Sequence, residues 1–293
     1  MHLLTDLVET GVSDNIFPGA VLLCAKGNDI LYHRAFGLAN RYENRPMQKN
    51  SIFDLASLTK PMATTAALMH LADQGLIAFG QTLGSLLPAF QGTDKSAITV
   101  DMLLRHTAGL PAYVEYYKSL VRHPHNRMHR LTQMLVHEPL VQKPGTAQNY
   151  SDLGFMILGR IIETLSGLPI DRYVAAKIYP ALGIENLFYI PLVQKDKIVE
   201  GYPDLIVSTQ HCPWRKKVLT GEVDDENTWV VGGVDGHAGL FGDAHAVFLF
   251  CLEILHALTG YPTRLLNPDV VKAACRRKDG FDMVAGFDRP SDT

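Results

Sequence analysis

Ser57 and Lys60 stand three residues apart at the head of "FDLASLTKPMATTAALMHLADQGLI", an otherwise apolar stretch from Phe53 to Ile77. A serine hydroxyl is a weak nucleophile at neutral pH and needs a base within hydrogen-bond reach. Residues three apart share one face of a helix, so a helical stretch puts Lys60 beside the Ser57 hydroxyl. A lysine that is partly desolvated, or close to other positive charge, gives up its proton more readily. The helix head also points backbone N–H groups at any oxyanion forming there. By chance, S-x-x-K occurs roughly once in a chain of this length at average composition, so the motif alone proves little. Its setting adds to it: this is the only S-x-x-K in the chain, and it opens an apolar helix. Pro61 agrees with a helix first turn, where its missing N–H has no partner in any case.

A second candidate is Tyr150 in "GTAQNYSDLGF", in a loop just ahead of a helix, with Ser151 and Asp152 following. A phenol relays protons when a nearby ammonium lowers its pKa. The plainer reading is an aromatic packed on the next helix. Other signals weigh less. "HPHNRMHRLTQMLVHE" contains His123, His125, His129 and His137, but Asn126 stands where H-E-x-x-H has its glutamate, so a solvated helix face explains it better than zinc. His106 in "RHTAGLP" reads as support for the turn at Gly109–Pro111. "WRKK" from Trp214 reads as a solvated loop, and "GVDGHAGLFG" lacks the G-x-G-x-x-G of a dinucleotide site.

Those residues sit in 293 that are 47% hydrophobic and 19% charged, with mean hydropathy +0.04, ordinary for a globular chain with one large core or two lobes. The net charge of −3 offers no basic field for nucleic acid or anionic membrane. Asp6 and Glu9 interrupt what a secretory leader would need, and no apolar run approaches the ~18 residues of a spanning helix. Cys24, Cys212, Cys251 and Cys275 are scattered, as expected of reduced thiols in a cytoplasmic protein, not of a disulfide frame or zinc site.

The elements follow from pattern. "GAVLLCAKG" and "NDILYHRAFG" around Gly27-Asn28 predict a β-hairpin. Residues 51–77 read as mostly helical, and 79–225 as mainly helical with loops. Within them "SDLGFMILGRIIETLSG" ends on Gly167 as a C-cap. "STQHCPWRKKVLTGEVDDENTW" reads as an exposed loop, and "GGVDGHAGLFGDAHAVFLFCLEILHAL" as a turn feeding an apolar helix. "KDGFDMVAGFDRPSDT" looks like a strand beginning. This gives an α+β chain: a sheet-containing lobe from 1–78 and 226–293, and a mainly helical lobe from 79–225. A sheet made only of residues 19–37 and 283–288 is marginal by itself.

"FDLASLTKPM", "LLRHTAGLP", "KPGTAQNYSDLGFMILG" and "GHAGLFG" resemble, in order and spacing, the serine β-lactamase-like superfamily. The chain is most similar to the branch holding class C β-lactamases, their penicillin-binding relatives and the family VIII esterases. The resemblance runs over roughly residues 15–290. It implies a mainly antiparallel sheet covered by helices, an all-helical lobe, and an active site between them. It also implies Ser57 as the acylated nucleophile, Lys60 as its activating partner, Tyr150 as proton relay, and neither metal nor cofactor. The substrate would be a small ester, amide or β-lactam, with esterase, β-lactamase and D-Ala-D-Ala carboxypeptidase activities all left open by the sequence.

Two departures qualify it. Asp152 takes the position of an asparagine in the family's second motif; an aspartate accepts hydrogen bonds only, and favours a charged Lys60. That shifts proton relay toward Tyr150 and leaves small esters or amides more open than β-lactams. The family's third motif, Lys-Thr-Gly or His-x-Gly on a strand, has no K-T-G here. His237-Ala238-Gly239 has the second form, in a context that matches the segment before that strand. The expectation is therefore that later sheet strands are missing, and that these residues alone are weakly active and poorly soluble. A catalytically impaired, ligand-binding relative is the rival reading.

Overall fold

The computed structural model describes residues 2–278 and 280–288. Helix α1 (His2–Ser13) lies against a hairpin of β1 (Gly19–Lys26) and β2 (Asp29–Asn40), and the Thr5 hydroxyl meets the Tyr32 hydroxyl at 2.6 Å. The strands pair from Gly19↔Gly37 to Lys26↔Asp29, with an irregularity between Cys24 and Ala25. The turn at Gly27-Asn28 is the one expected from the sequence. β3 (Arg45–Pro46) adds to the far side of β2, so the outer edge of β1 carries no strand among the described residues. Beside it the helix Ala244–Thr259 closes a groove of about 530 Å³ lined by Val21, Leu23, Val247, Phe248, Leu252 and Leu255.

A second sheet forms the floor of the site. β4 (Phe53–Asp54), β5 (Leu187–Tyr189) and β8 (Leu240–Gly242) assemble in the order β4-β8-β5, both pairs antiparallel. β8 occupies part of the glycine-rich stretch read from sequence as a turn alone. The stretch expected as an exposed loop is instead a hairpin, β6 (Ser208–Cys212) and β7 (Lys217–Thr220), followed by a short helix, Glu226–Val230. Its physical reason is one-sided burial: Cys212, Leu219 and Val223 are buried while Gln210 and His211 face solvent. At the other end, the strand expected from "DMVAGF" is a tight turn closed by a single bridge, Val284↔Phe287; residues 279 and 289–293 lie outside the described set.

The core is built on the serine-bearing segment and the helix Asp152–Ser166. Met62, Ala63, Ala66, Ala67 and Leu68 are almost fully inaccessible, and the three alanines let the neighbouring helices come close. The Asp152–Ser166 helix buries every residue from Leu153 to Ile162, the mark of an interior helix. Ser151 caps it by accepting the Gly154 N–H, and Gly167 ends it in the left-handed conformation, as the sequence suggested. Among the described residues no single helix is long and apolar enough to cross a membrane. Antiparallel sheets with segregated helices make the chain α+β.

Candidate active site

β4 leads straight into the nucleophile turn. Asp54 pins that turn from both sides: one carboxylate oxygen accepts the Ala56 N–H (2.9 Å) and the other the Asp224 N–H (2.7 Å). Burial raises the Asp54 carboxyl to about 6, against the opposing pull of those two bonds. Ala56 sits in the left-handed region at φ 46°, unusual for a residue with a β-carbon. Ser57 follows in a 3₁₀ turn, Ala56–Leu58, with its side chain exposed. Lys60 opens a wide π-helical turn, Lys60–Thr65, which runs on into the α-helix Ala66–Asp73. The helix head is thus wider than an α-helical first turn, a local departure that recurs at functional sites.

Lys60 is buried, at 2% exposure. Its Nζ donates to three acceptors: Ser57 Oγ at 3.0 Å, Asp152 Oδ1 at 2.7 Å and the His237 carbonyl at 3.2 Å. These use all three ammonium hydrogens, so in this arrangement Lys60 orients Oγ and offers no lone pair to it. Tyr150 lies above: the ammonium is 4.9 Å from its ring centroid, and no hydrogen bond joins its hydroxyl to Ser57 or Lys60. The ring stacks on His106 at 4.5 Å, and His106 in turn meets Phe155 at 5.1 Å.

His106 is the hinge of that stack. Its Nδ1 accepts the Ser151 N–H at 2.9 Å, and its backbone is left-handed at φ 57°. Burial first, and then the charge of Lys60, push its imidazole down to about 4. It is therefore neutral when folded and protonates when unfolded, with an ordinary value of ~6.5. The sign follows: its contribution is full above pH ~6.5 and is lost as pH falls toward about 4. His106→Asn keeps an acceptor and tolerates the left-handed backbone. Measured by denaturant unfolding, the stability gap between wild type and His106→Asn should narrow by about 2–3 kcal/mol from pH 7 to pH 4. Asp54, which titrates with the opposite sign, is common to both proteins and drops out. A gap independent of pH would show that the folded protein protonates His106 as readily as the unfolded chain does.

His237 does not present its ring to Ser57. Its Nε2 faces Asp225 Oδ1 at 2.9 Å and Thr228 Oγ1 at 3.2 Å. Burial lowers the imidazole, but Asp225 outweighs that and raises it; burial likewise lifts Asp225, and His237 with Thr228 brings it below the usual carboxylate range. The two form a buried ion pair that lines the cavity beside Ser57, and the His237 carbonyl joins it to Lys60. Gly239 is structural: at φ 112°, a β-carbon would lie 2.7 Å from the Gly233 carbonyl oxygen.

The loop 235–240 is bolted to the serine segment at three successive points: Thr59 Oγ1 accepts the Leu240 N–H, Lys60 reaches His237 O, and Thr64 donates to Gly236 O at 2.6 Å. Gly236 lies flat on the Asp152 helix, where a β-carbon would meet the Phe155 carbonyl oxygen at 2.2 Å. Of the residues singled out from sequence, Ser57, Lys60 and Asp152 are joined directly, Tyr150 stands beside them, and His237 joins through its backbone. Asp54, Asp225, Thr59 and Thr64 were missed. Only Asp225 had a local signal, as the N-cap of "DENT" (its Oδ1 accepts the Thr228 N–H at 2.6 Å). Among the described residues no group of three side chains is placed to hold a metal ion.

A sheet-and-helix fold with a serine and a buried lysine at the head of its central helix defines the β-lactamase/transpeptidase-like hydrolases. The chain belongs to the β-lactamase family, whose model, described as "Beta-lactamase", matches residues 4–293. A protein of Salmonella paratyphi B (strain ATCC BAA-1250 / SPB7) named "Putative D-alanyl-D-alanine carboxypeptidase" is 32% identical over 317 residues, covering 98% of this chain and 71% of that protein. Solved structures share the fold, two of them as follows. The octameric penicillin-binding protein homologue from Pyrococcus abyssi has TM-score 0.72 at 17% identity, covering 94% of this chain. This chain spans 60% of that protein's length. A class C β-lactamase from Rhodobacter sphaeroides has TM-score 0.70 at 18% identity, covering 94% of this chain and 70% of that one.

Proposed function

We propose that the chain is a serine hydrolase that passes through an acyl-enzyme on Ser57 and acts on a small ester or amide. The observation that carries this reading is the exposed Ser57 hydroxyl held 3.0 Å from the buried Lys60 ammonium, at the wall of a cavity of about 250 Å³. In the first step Ser57 Oγ bonds to the carbonyl carbon and the bond to the leaving group breaks. The serine proton goes to the leaving alcohol or amine; Tyr150, whose ring stands beside Lys60, is the proposed relay, a role that requires its phenol to turn toward Oγ. In the second step water adds to the acyl carbon, the ester bond to Oγ breaks, and one water proton restores the serine. Lys60 keeps Oγ aimed and stabilises negative charge as it develops.

Intact-mass analysis and peptide mapping after incubation with a serine-directed fluorophosphonate test this. The expected result is one adduct, on Ser57; label on Ser151, or on no serine, overturns it. The Lys60–Asp152 pair favours a second reading, a relative that binds ligands without turning them over. Label on Ser57 alone does not separate the two readings, so steady-state product release is the deciding assay.

Asp152→Asn bears on substrate type. It restores an N–H donor for an amide carbonyl and removes the carboxylate on Lys60. The ratio of amide to ester kcat/KM should rise about tenfold, the scale of one net hydrogen bond. An unchanged ratio would show that Asp152 does not set the preference.

A further inference from the structure

We infer that the cavity at Ser57 selects esters or amides carrying a protonated amine within a few bonds of the scissile carbonyl. The inference rests on the serine-hydrolase reading and names its substrate class. Five of the residues lining the cavity are acidic: Asp54, Asp152, Asp224, Asp225 and Glu226. Two cations answer them, and each is already taken: Lys60 by Asp152 at 2.7 Å and His237 by Asp225 at 2.9 Å. Arg215, behind the loop, directs its guanidinium to the backbone carbonyls of Val223 (2.7 Å) and Asp224 (2.6 Å), and pairs with no carboxylate there.

Asp54 uses both oxygens on backbone N–H groups, and Asp224 gives one oxygen to Gln210 Nε2 at 2.7 Å. Glu226, half-buried, has no hydrogen-bond or ion-pair partner for its side chain among the described residues. Its place in the first turn of a five-residue helix suits a carboxylate, but accounts for one charge in five. The wall therefore stays negative after its internal pairs are counted, and a small concave site concentrates that field on whatever enters. A carboxylate next to the scissile carbonyl is repelled there, and an ammonium is drawn in.

The site already holds one ammonium in the manner required. Lys60 Nζ lies between the Asp152 carboxylate and the face of the Tyr150 ring, a carboxylate and an aromatic acting together. The cavity of about 250 Å³ is the size of a small acyl group such as an aminoacyl, below the usual ~300–1,000 Å³ of larger ligand pockets.

The test uses three phenyl thioesters that differ at one group on the α-carbon: ammonium (alanyl, in both enantiomers), methyl (isobutyryl) and carboxylate (methylmalonyl). Relative to each thioester's own rate with hydroxide, the expected kcat/KM is at least about tenfold higher for the alanyl than for the isobutyryl thioester, and lowest for the methylmalonyl. Glu226→Gln should lower the ammonium-to-methyl ratio several-fold. Raising salt from about 0.05 to 0.5 M should lower the same ratio in the wild type, a measurement that does not depend on the variant folding. Equal or faster turnover of the methyl or carboxylate ester, with Ser57 still taking a fluorophosphonate, overturns the substrate class and leaves the serine hydrolase standing. No label on Ser57 and no turnover of any ester brings down both.

Discussion

Ser57→Ala should lower turnover of the best ester substrate on the order of 10⁵-fold and abolish fluorophosphonate labelling, with the fold intact. The size follows from the role: without Oγ no acyl-enzyme forms, and the remaining groups only bind and polarise the carbonyl. The stability side follows from exposure. Ser57 is exposed, its one recorded side-chain bond is the one it accepts from Lys60, and exposed substitutions of this kind shift stability within about 0.5 kcal/mol. Far-ultraviolet circular dichroism and a melting curve beside the kinetics separate a dead site from a lost fold. Turnover falling less than tenfold with the fold preserved would mean that some other group attacks the substrate.

Lys60→Ala should damage both stability and activity, and a second substitution should part the two effects. The Lys60 side chain is 3% exposed and that of its partner Asp152 19%, so removing the cation strands a carboxylate in a poorly solvated wall. Breaking such a pair typically costs about 3–5 kcal/mol, while losing the group that aims Oγ and stabilises its developing charge costs roughly 10²–10³ in rate. Adding Asp152→Ala removes the stranded charge. The double variant should recover more than half of the lost stability and none of the lost rate. Strict additivity of the two single-variant stabilities would show that the ion pair is not what holds Lys60 in place. Recovery of rate in the double variant would remove Lys60 from the chemistry.

The parts legible in the sequence were those with a period or a cap. Ser57 and Lys60 follow from three-residue spacing, the β1–β2 hairpin from Gly27-Asn28, and the Asp152–Ser166 helix from its apolar run and Gly167. The second sheet was not legible because β4, β5 and β8 have two or three residues each, too few to alternate. β6–β7 hid for another reason: its outward residues are polar and its inward ones sparse, so the stretch reads as a loop. The Asp225–His237 pair spans twelve residues with no helical or strand spacing between the partners, and only folding brings them together. The fate of Tyr150 was half legible. Its place before the helix was plain from "NYSD", but the stack on His106 depends on a loop 44 positions earlier in the chain.

The left-handed backbone at Ala56 bears on how such a site evolves. A residue with a β-carbon in that region stores roughly 1 kcal/mol that glycine would release. Glycine would also loosen the unfolded chain, by about 0.4–1 kcal/mol in the opposite direction. The two nearly cancel, so thermal robustness gives selection almost no grip on position 56. What remains for selection to act on is the aim of the neighbouring hydroxyl, set by the turn between Asp54 and Ser57. Drift at this position among related chains would then record changes of chemistry, and a survey of melting temperatures would pass over it.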